Sequence, residues 1–217
     1  EERPGIGELR FDPLVNEWIA ISAHRQNRIF LPPKELCPLC PTTSDELLTE
    51  IPEKEYEVVV FDNKSPSLRP PTGDNALPDY AGPETDMGKA IGKCEVIVFN
   101  SDHGQSFCDL TPTQVRTLLE AWRDRTDELS KAPYIRHIAP FENRGEEIGV
   151  TLHHPHGQIY AYSYLPPRVE KMLAAAEKYQ TEFSKILFDE ILKRELTDKV
   201  RIISQNEHWV EIGRAHV

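Results

Sequence analysis

The chain of 217 residues carries a formal net charge of −11, with 28% charged and 39% hydrophobic residues. That length permits one sizeable domain or two small ones, with enough core for independent folding. The acidic balance opposes nucleic acid or an anionic membrane as main partner, while a local basic cluster could still hold a phosphate. No run of about 18 apolar residues supplies a spanning helix. There is no secretory pattern at the N-terminus, and the chain opens on Glu1 rather than Met, so the natural start is expected upstream. Of the four cysteines, Cys37 and Cys40 form a Cys-x-x-Cys pair. Without a secretory signal that pair reads as a metal site rather than a disulfide framework. Cys94 and Cys108 read as inert thiols, and the expected location is cytoplasmic.

Residues 8–22 read as two short strands around a turn at 12–16. Beyond them, Arg25 and Arg28 form either a solvated pair or a phosphate-capturing one, since the guanidinium fork matches phosphate oxygens. Leu36-Cys37-Pro38-Leu39-Cys40-Pro41 is a proline-bounded knuckle that aims two sulfurs at one point. Redox chemistry competes with a zinc half-site. A redox pair normally opens a helix, which Pro41 and the polar run after it make awkward, so the half-site is favoured and needs two more ligands. Residues 45–56 read as acidic loop or frayed helix. Residues 56–61 are a strand ending in Asp62-Asn63-Lys64, and residues 70–89 a long surface loop. Residues 94–99 form another strand, which delivers Asn100-Ser101-Asp102-His103-Gly104 at its exit.

Thr111-Pro112-Thr113-Gln114 starts a helix: a capping Thr, Pro at the first helical position and Gln at the capping-box position. Val115, Leu118, Leu119, Trp122 and Leu129 mark its sheet-facing side. Residues 134–140 read as a strand with imperfect alternation and 141–145 as a turn. After Pro166 and Pro167 a helix is expected to about Arg194. Its stripe of Val169, Met172, Leu173, Ala176, Phe183, Leu187 and Ile191 reads as core packing. Another strand begins at residues 200–204.

Between these elements lies Leu152-His153-His154-Pro155-His156-Gly157-Gln158-Ile159-Tyr160. On a strand His154 and His156 would share a face, with Gln158 next along it. A hydrophilic turn that happens to be rich in histidine is the plainer alternative. Cys37, Cys40, His103 and one histidine of this cluster would complete a Cys2His2 tetrahedron, although spacing alone does not choose among His153, His154 and His156. A free imidazole attacks phosphorus without prior deprotonation by a strong base, splitting a phosphoryl or nucleotidyl transfer into two steps. Arg25, Arg28, Asn143, Thr151 and Gln158 are candidate donors to the phosphate oxygens. Gly149 and Gly157 would allow close backbone approach.

Gly149-Val150-Thr151-Leu152-His153-His154-Pro155-His156-Gly157-Gln158-Ile159 resembles the active-site signature of galactose-1-phosphate uridylyltransferases, in the histidine-triad-like superfamily. The likeness runs from Phe11-Asp12-Pro13-Leu14 through Cys37-Pro38-Leu39-Cys40 to Glu207-His208-Trp209. It implies an α+β fold, a mainly antiparallel half barrel with two long helices packed on the sheet. It further implies His156 as nucleophile, taking UMP from UDP-glucose and passing it to galactose 1-phosphate. His154 resembles the zinc ligand that joins Cys37, Cys40 and His103, while His153 has no role in the pattern. Arg25, Arg28, Asn63, Asn143, Thr151 and Gln158 fall where the family contacts nucleotide or phosphates. Gln158 stands where hydrolytic relatives carry a third histidine, which points to transfer over hydrolysis.

The family pattern is not complete here. An acidic ligand for a second metal, iron, maps by ungapped counting to Met172, with Glu170 two residues away, so zinc alone is expected. Thr151 replaces a common Ser and keeps the hydroxyl. The resemblance implies a second, related half after the His-Trp segment that contributes substrate contacts across a homodimer, whereas this sequence ends at Val217. Residues 1–210 are accordingly expected to be the catalytic N-terminal domain and 211–217 a non-native tail. An adenine-nucleotide sugar phosphorylase or transferase, or a non-catalytic zinc- and nucleotide-binding fragment, are the alternatives.

Overall fold

The structure, a computed structural model, describes residues 8–12, 17–21, 32–44, 48–71, 87–145, 148 and 150–213. The chain divides into two compact units, Glu1–Leu165 and Pro166–Val217. The first holds strands β1 (Glu8–Asp12), β2 (Glu17–Ile21), β3 (Val59–Asp62), β4 (Met87–Lys89), β5 (Gly92–Val98), β6 (His137–Phe141) and β7 (His156–Tyr162), with helix α1 (Pro112–Ser130). Four strands make the main antiparallel sheet in the order β3-β5-β7-β6, and three make a smaller one in the order β2-β1-β4. The expected α+β architecture is present, with no closed barrel among the described residues. The expected turn at residues 13–16 lies outside them. Within the expected 70–89 loop, Met87–Lys89 instead form β4, because they pair with Arg10, Leu9 and Glu8 of β1.

Helix α1 begins where its local chemistry dictates. The Thr111 hydroxyl accepts from the Gln114 amide, and the Gln114 side chain accepts from the Thr111 amide at 2.9 Å. This capping box satisfies two N–H groups that the helix leaves without partners. Leu118 and Leu129 then pack with Ile97, Phe99, Leu110, Ile159 and Ala161. Phe99 meets Phe107 and Trp122 edge-on, each at a centroid distance of 6.1 Å, an arrangement that aligns ring edges with ring faces. A charged clamp adds to this apolar contact. Arg125 donates from Nε and Nη2 to the two oxygens of Glu95 at 2.9 and 2.8 Å. Glu95 lies buried in the middle of β5 and also meets the Lys93 ammonium at 3.3 Å. The bidentate geometry fixes α1 in both position and rotation on the sheet.

Strand β7 has two distinct faces. Gly157, Ile159 and Ala161 are buried on the α1 side, while His156, Gln158, Tyr160 and Tyr162 alternate with them on the other. His154 lies in the bend before the strand, so it does not share a strand face with His156 as alternation alone would have it. The Gly157 position is close-packed: an added Cβ would lie 2.7 Å from the Phe141 carbonyl and 3.2 Å from the Phe99 ring. Its smallness serves strand packing. Gly149 lies outside the described residues.

The second unit contains α2 (Pro167–Phe183), α3 (Leu187–Asp198) and the hairpin β8 (Ile202–Gln205) with β9 (Val210–Ile212). The single helix expected to about Arg194 is broken. Ser184 takes a left-handed conformation at φ 54° and caps α2 through a 2.8 Å bond from its amide to the Gln180 carbonyl. The stripe read as core packing is also largely open: Met172, Leu173, Phe183 and Ile191 are all exposed. A unit this small has little apolar surface with which to cover a second face. Val210–Ile212 pair with β8, and residues 214–217 lie outside the described residues. No helix among the described residues is long and apolar enough to cross a membrane.

The tight β6–β7 approach yields the first testable expectation. Gly157→Ala should lower stability by about 1–3 kcal/mol through overpacking, measured by chemical denaturation. An unchanged unfolding midpoint would show that the site can absorb a methyl group.

Candidate metal centre and active site

Three loops deliver the candidate metal-ligating side chains. The first is the knuckle, where a single 3-10 turn at Lys34–Leu36 leads into Cys37. The Cys40 amide then donates to the Cys37 carbonyl at 3.3 Å, closing a tight turn. A returning segment clamps it, through Glu50 N–H to Pro38 O at 2.9 Å and Thr42 N–H to Ile51 O at 3.0 Å. The second loop leaves β5, where Asn100 Oδ1 accepts from the Asp102 amide and Asp102 Oδ1 from the Gly104 amide, at 2.8 and 2.9 Å. Such side-chain-to-backbone bonds hold short polar turns without secondary structure, and this one presents His103. The third is the bend that leads into β7 and carries His154, only 1% exposed.

The ligand atoms of Cys37, Cys40, His103 and His154 all lie within 4.8 Å of one another. Cys40 Sγ stands 3.4 Å from His103 Nδ1 and 3.5 Å from His154 Nδ1. For a tetrahedral ion with metal–sulfur and metal–nitrogen bonds of about 2.3 and 2.05 Å, the sulfur–nitrogen edge is about 3.5 Å. The residues present therefore fit one metal ion, and His154 is the member of the histidine cluster that the geometry selects. Its outer nitrogen is also occupied: Nε2 donates to the Asn100 carbonyl at 2.9 Å and lies 3.1 Å from the Tyr56 hydroxyl. That partner orients the ring so that Nδ1 faces the cluster.

The electrostatics match this role. Burial lowers the His154 pKa to about 4 and also lowers that of His103, so both imidazoles are neutral and available as ligands near neutral pH. Burial, with Cys37 adjacent, raises the Cys40 thiol to about 11. Burial and the same two sulfurs push the Tyr56 hydroxyl above the ordinary tyrosine range, which keeps it a donor, and it donates to the Leu39 carbonyl at 2.7 Å.

Two residues beyond His154, His156 opens β7. Its Nδ1–H donates to the His154 carbonyl at 2.7 Å, which leaves the Nε2 lone pair uncommitted. Burial lowers its pKa as well. Gln158 follows on the same face, its Oε1 accepting from Asn63 Nδ2 at 3.2 Å, while Asn63 Oδ1 accepts from the Ser65 amide at 2.9 Å. Asn63 and Gln158 are thus brought together. Thr151 is half-buried in the approach to the bend, and Asn143 is exposed two residues past Phe141, the cross-strand partner of Gln158. Arg25 and Arg28 lie outside the described residues. Sequence reasoning missed Tyr56 and Asn100, the two outer partners of His154. For Asn100 a polar residue buried at a strand exit was the available signal, and for Tyr56 there was none.

These features define a class: an α+β protein in which a Cys/His cluster able to hold a metal lies beside the strand that His156 opens. Residues 3–166 match the family described as galactose-1-phosphate uridyl transferase, N-terminal domain. The chain belongs to that family. It is 43% identical over 204 residues to a galactose-1-phosphate uridylyltransferase of Streptomyces lividans, covering 93% of this chain and 51% of that protein. A galactose-1-phosphate uridylyltransferase of Thermotoga maritima is 38% identical over 208 residues, at 94% and 61% coverage. Among solved structures, that of a uridylyltransferase superposes with a TM-score of 0.73 at 27% identity, covering 94% of this chain and 60% of the other. The chain therefore spans about half to three fifths of the length of the relatives it matches.

The thiol and imidazole states set the pH dependence of metal binding. The Cys40 proton, held to about 11, must leave on ligation, whereas His154 at about 4 has none to lose at neutral pH. Apparent metal affinity should accordingly rise by at least about tenfold per pH unit between roughly pH 6 and 8. Competition with a chelator across that range measures it, and a flat profile would exclude Cys40 as a ligand.

Proposed function

We propose that this chain carries the nucleophile of a UDP-glucose–hexose-1-phosphate uridylyltransferase. The observation that supports this most is the 2.7 Å bond from His156 Nδ1 to the His154 carbonyl, which leaves Nε2 as the reactive lone pair. Nε2 attacks the α-phosphorus of UDP-glucose, an N–P bond forms, and the P–O bond to glucose 1-phosphate breaks. A phosphate oxygen of galactose 1-phosphate then attacks the same phosphorus, releasing UDP-galactose and restoring neutral His156. The two-step route replaces one displacement between two anions with two displacements at phosphorus, in which the imidazole nitrogen is first the nucleophile and then the leaving group.

Gln158 assists without exchanging protons. With Oε1 engaged by Asn63, its amide N–H groups remain to donate to the nucleotidyl phosphate. A neutral amide cannot deprotonate water, which favours transfer to a sugar phosphate over hydrolysis. Arg25, Arg28, Asn63, Asn143 and Thr151 complete the proposed contacts to nucleotide and phosphates. Cys37, Cys40, His103 and His154 would hold zinc, the ion suited to a tetrahedral set of two thiolates and two imidazoles. With all four positions taken by protein, such an ion would be structural, and the four residues holding it would fix the bend whose carbonyl orients His156. A cytoplasmic, homodimeric enzyme acting on UDP-hexoses and hexose 1-phosphates is the corresponding whole.

Incubation with UDP-glucose radiolabelled in the α-phosphate tests the assignment. Acid-labile, base-stable label should appear on the protein and be absent from His156→Ala, with transfer reduced at least about a thousandfold. Label retained in that variant would remove His156 from the role, and labelling from ADP-glucose in preference would move the substrate to an adenine nucleotide.

A further inference from the structure

Tyr56 is half-buried at the edge of the cluster formed by Cys37, Leu39, Ile51 and Val98. Packing alone would be served by a phenylalanine, yet the hydroxyl has two defined partners. It donates to the carbonyl of Leu39, the residue between the two knuckle cysteines, at 2.7 Å, and it lies 3.1 Å from Nε2 of His154. Residues 17 and 98 positions away in sequence thus meet on one oxygen. The Asn100 carbonyl holds the same Nε2, so the His154 ring has one partner on the β5 exit and one reaching the knuckle.

We infer that Tyr56 is a positioning residue of the metal centre, its hydroxyl setting the Cys37–Cys40 knuckle at ligand distance from His154. The inference rests on the reading of Cys37, Cys40, His103 and His154 as a metal site. The Tyr56 hydroxyl meets a backbone carbonyl and the outer nitrogen of His154. It acts through the Leu39 carbonyl on one side and the His154 ring on the other. Without the hydroxyl, Asn100 still orients His154, but the Leu39 carbonyl loses its donor and the knuckle its link to the ring. The sulfur–nitrogen edges that a tetrahedral ion requires are then no longer preset. Partners outside the ligand set typically change metal affinity by about 10–100-fold when removed. The same link reaches His156, whose Nδ1–H is held by the His154 carbonyl.

The test compares the full 217-residue chain with Tyr56→Phe and Cys37→Ser, using cobalt(II) as the probe and a chelator as competitor. Tyr56→Phe should bind cobalt about 10–100-fold more weakly, with displaced thiolate-to-cobalt absorption bands. Its metal-free form should still unfold cooperatively, with the midpoint lowered by no more than the loss of one hydrogen bond, because the ring remains. Affinity and spectrum equal to the wild type would overturn the inference. Failure of the wild type to show thiolate bands, or bands of undiminished intensity in Cys37→Ser, would overturn the metal reading and this inference with it. Should Tyr56→Phe not fold, the wild type supplies a second readout by NMR. A slowly exchanging Tyr56 hydroxyl proton with cross-peaks to the His154 ring supports the inference, and its absence overturns it.

Discussion

His154 makes three commitments at once, and the rest of the site depends on them. Its Nδ1 faces the cysteine knuckle, its Nε2 donates to the Asn100 carbonyl, and its own carbonyl accepts from His156. A neutral imidazole buried to this extent is tolerable only if both nitrogens are satisfied. Burial keeps the ring uncharged, and neutrality makes one nitrogen a donor and the other a lone pair for the cluster. The backbone position fixed in this way orients the imidazole two residues on. His154 and His156, the proposed structural and reactive histidines, are therefore coupled through one carbonyl.

The sheet gives that coupling its rigidity. In the β5–β7 register His156 is opposite Val98 and Gln158 opposite Val96, so both polar residues project from the centre of a four-stranded sheet. On the opposite face Ile97, Ile159 and Ala161 pack under α1, and the Glu95–Arg125 clamp prevents that helix from rotating. The Phe99 ring packs against Gly157 on the face of β7 opposite His156. A shift of β7 would have to break this packing before it moved His156.

Much of this was legible in the residues, and the parts that were not have physical reasons. The α1 start was readable because Thr111, Pro112 and Gln114 make their bonds within one turn. The Cys-x-x-Cys knuckle and His103 announced themselves by ligand chemistry, yet only the fold could choose His154 from its neighbours. Strand alternation suggested that His154 and His156 share a face. The chain instead bends at His154 and begins β7 at His156, because a buried ligand and an outward-facing imidazole need different backbone directions. The break after α2 was hidden because the left-handed cap is Ser184, where glycine would have marked it. Glu95 was visible as a charge inside an apolar strand, but its partner lies 30 residues on. Tyr56 looked like the first residue of a strand, and nothing local reveals a hydroxyl that serves two distant loops.

The central question is whether one ion gathers the knuckle, the β5 exit and the bend before β7. X-ray absorption at the metal edge of zinc-loaded protein measures this directly. Two sulfur neighbours at about 2.3 Å and two imidazole nitrogens at about 2.0–2.1 Å are the expected shell. A shell without sulfur, or a disulfide between Cys37 and Cys40 in the loaded protein, would contradict it.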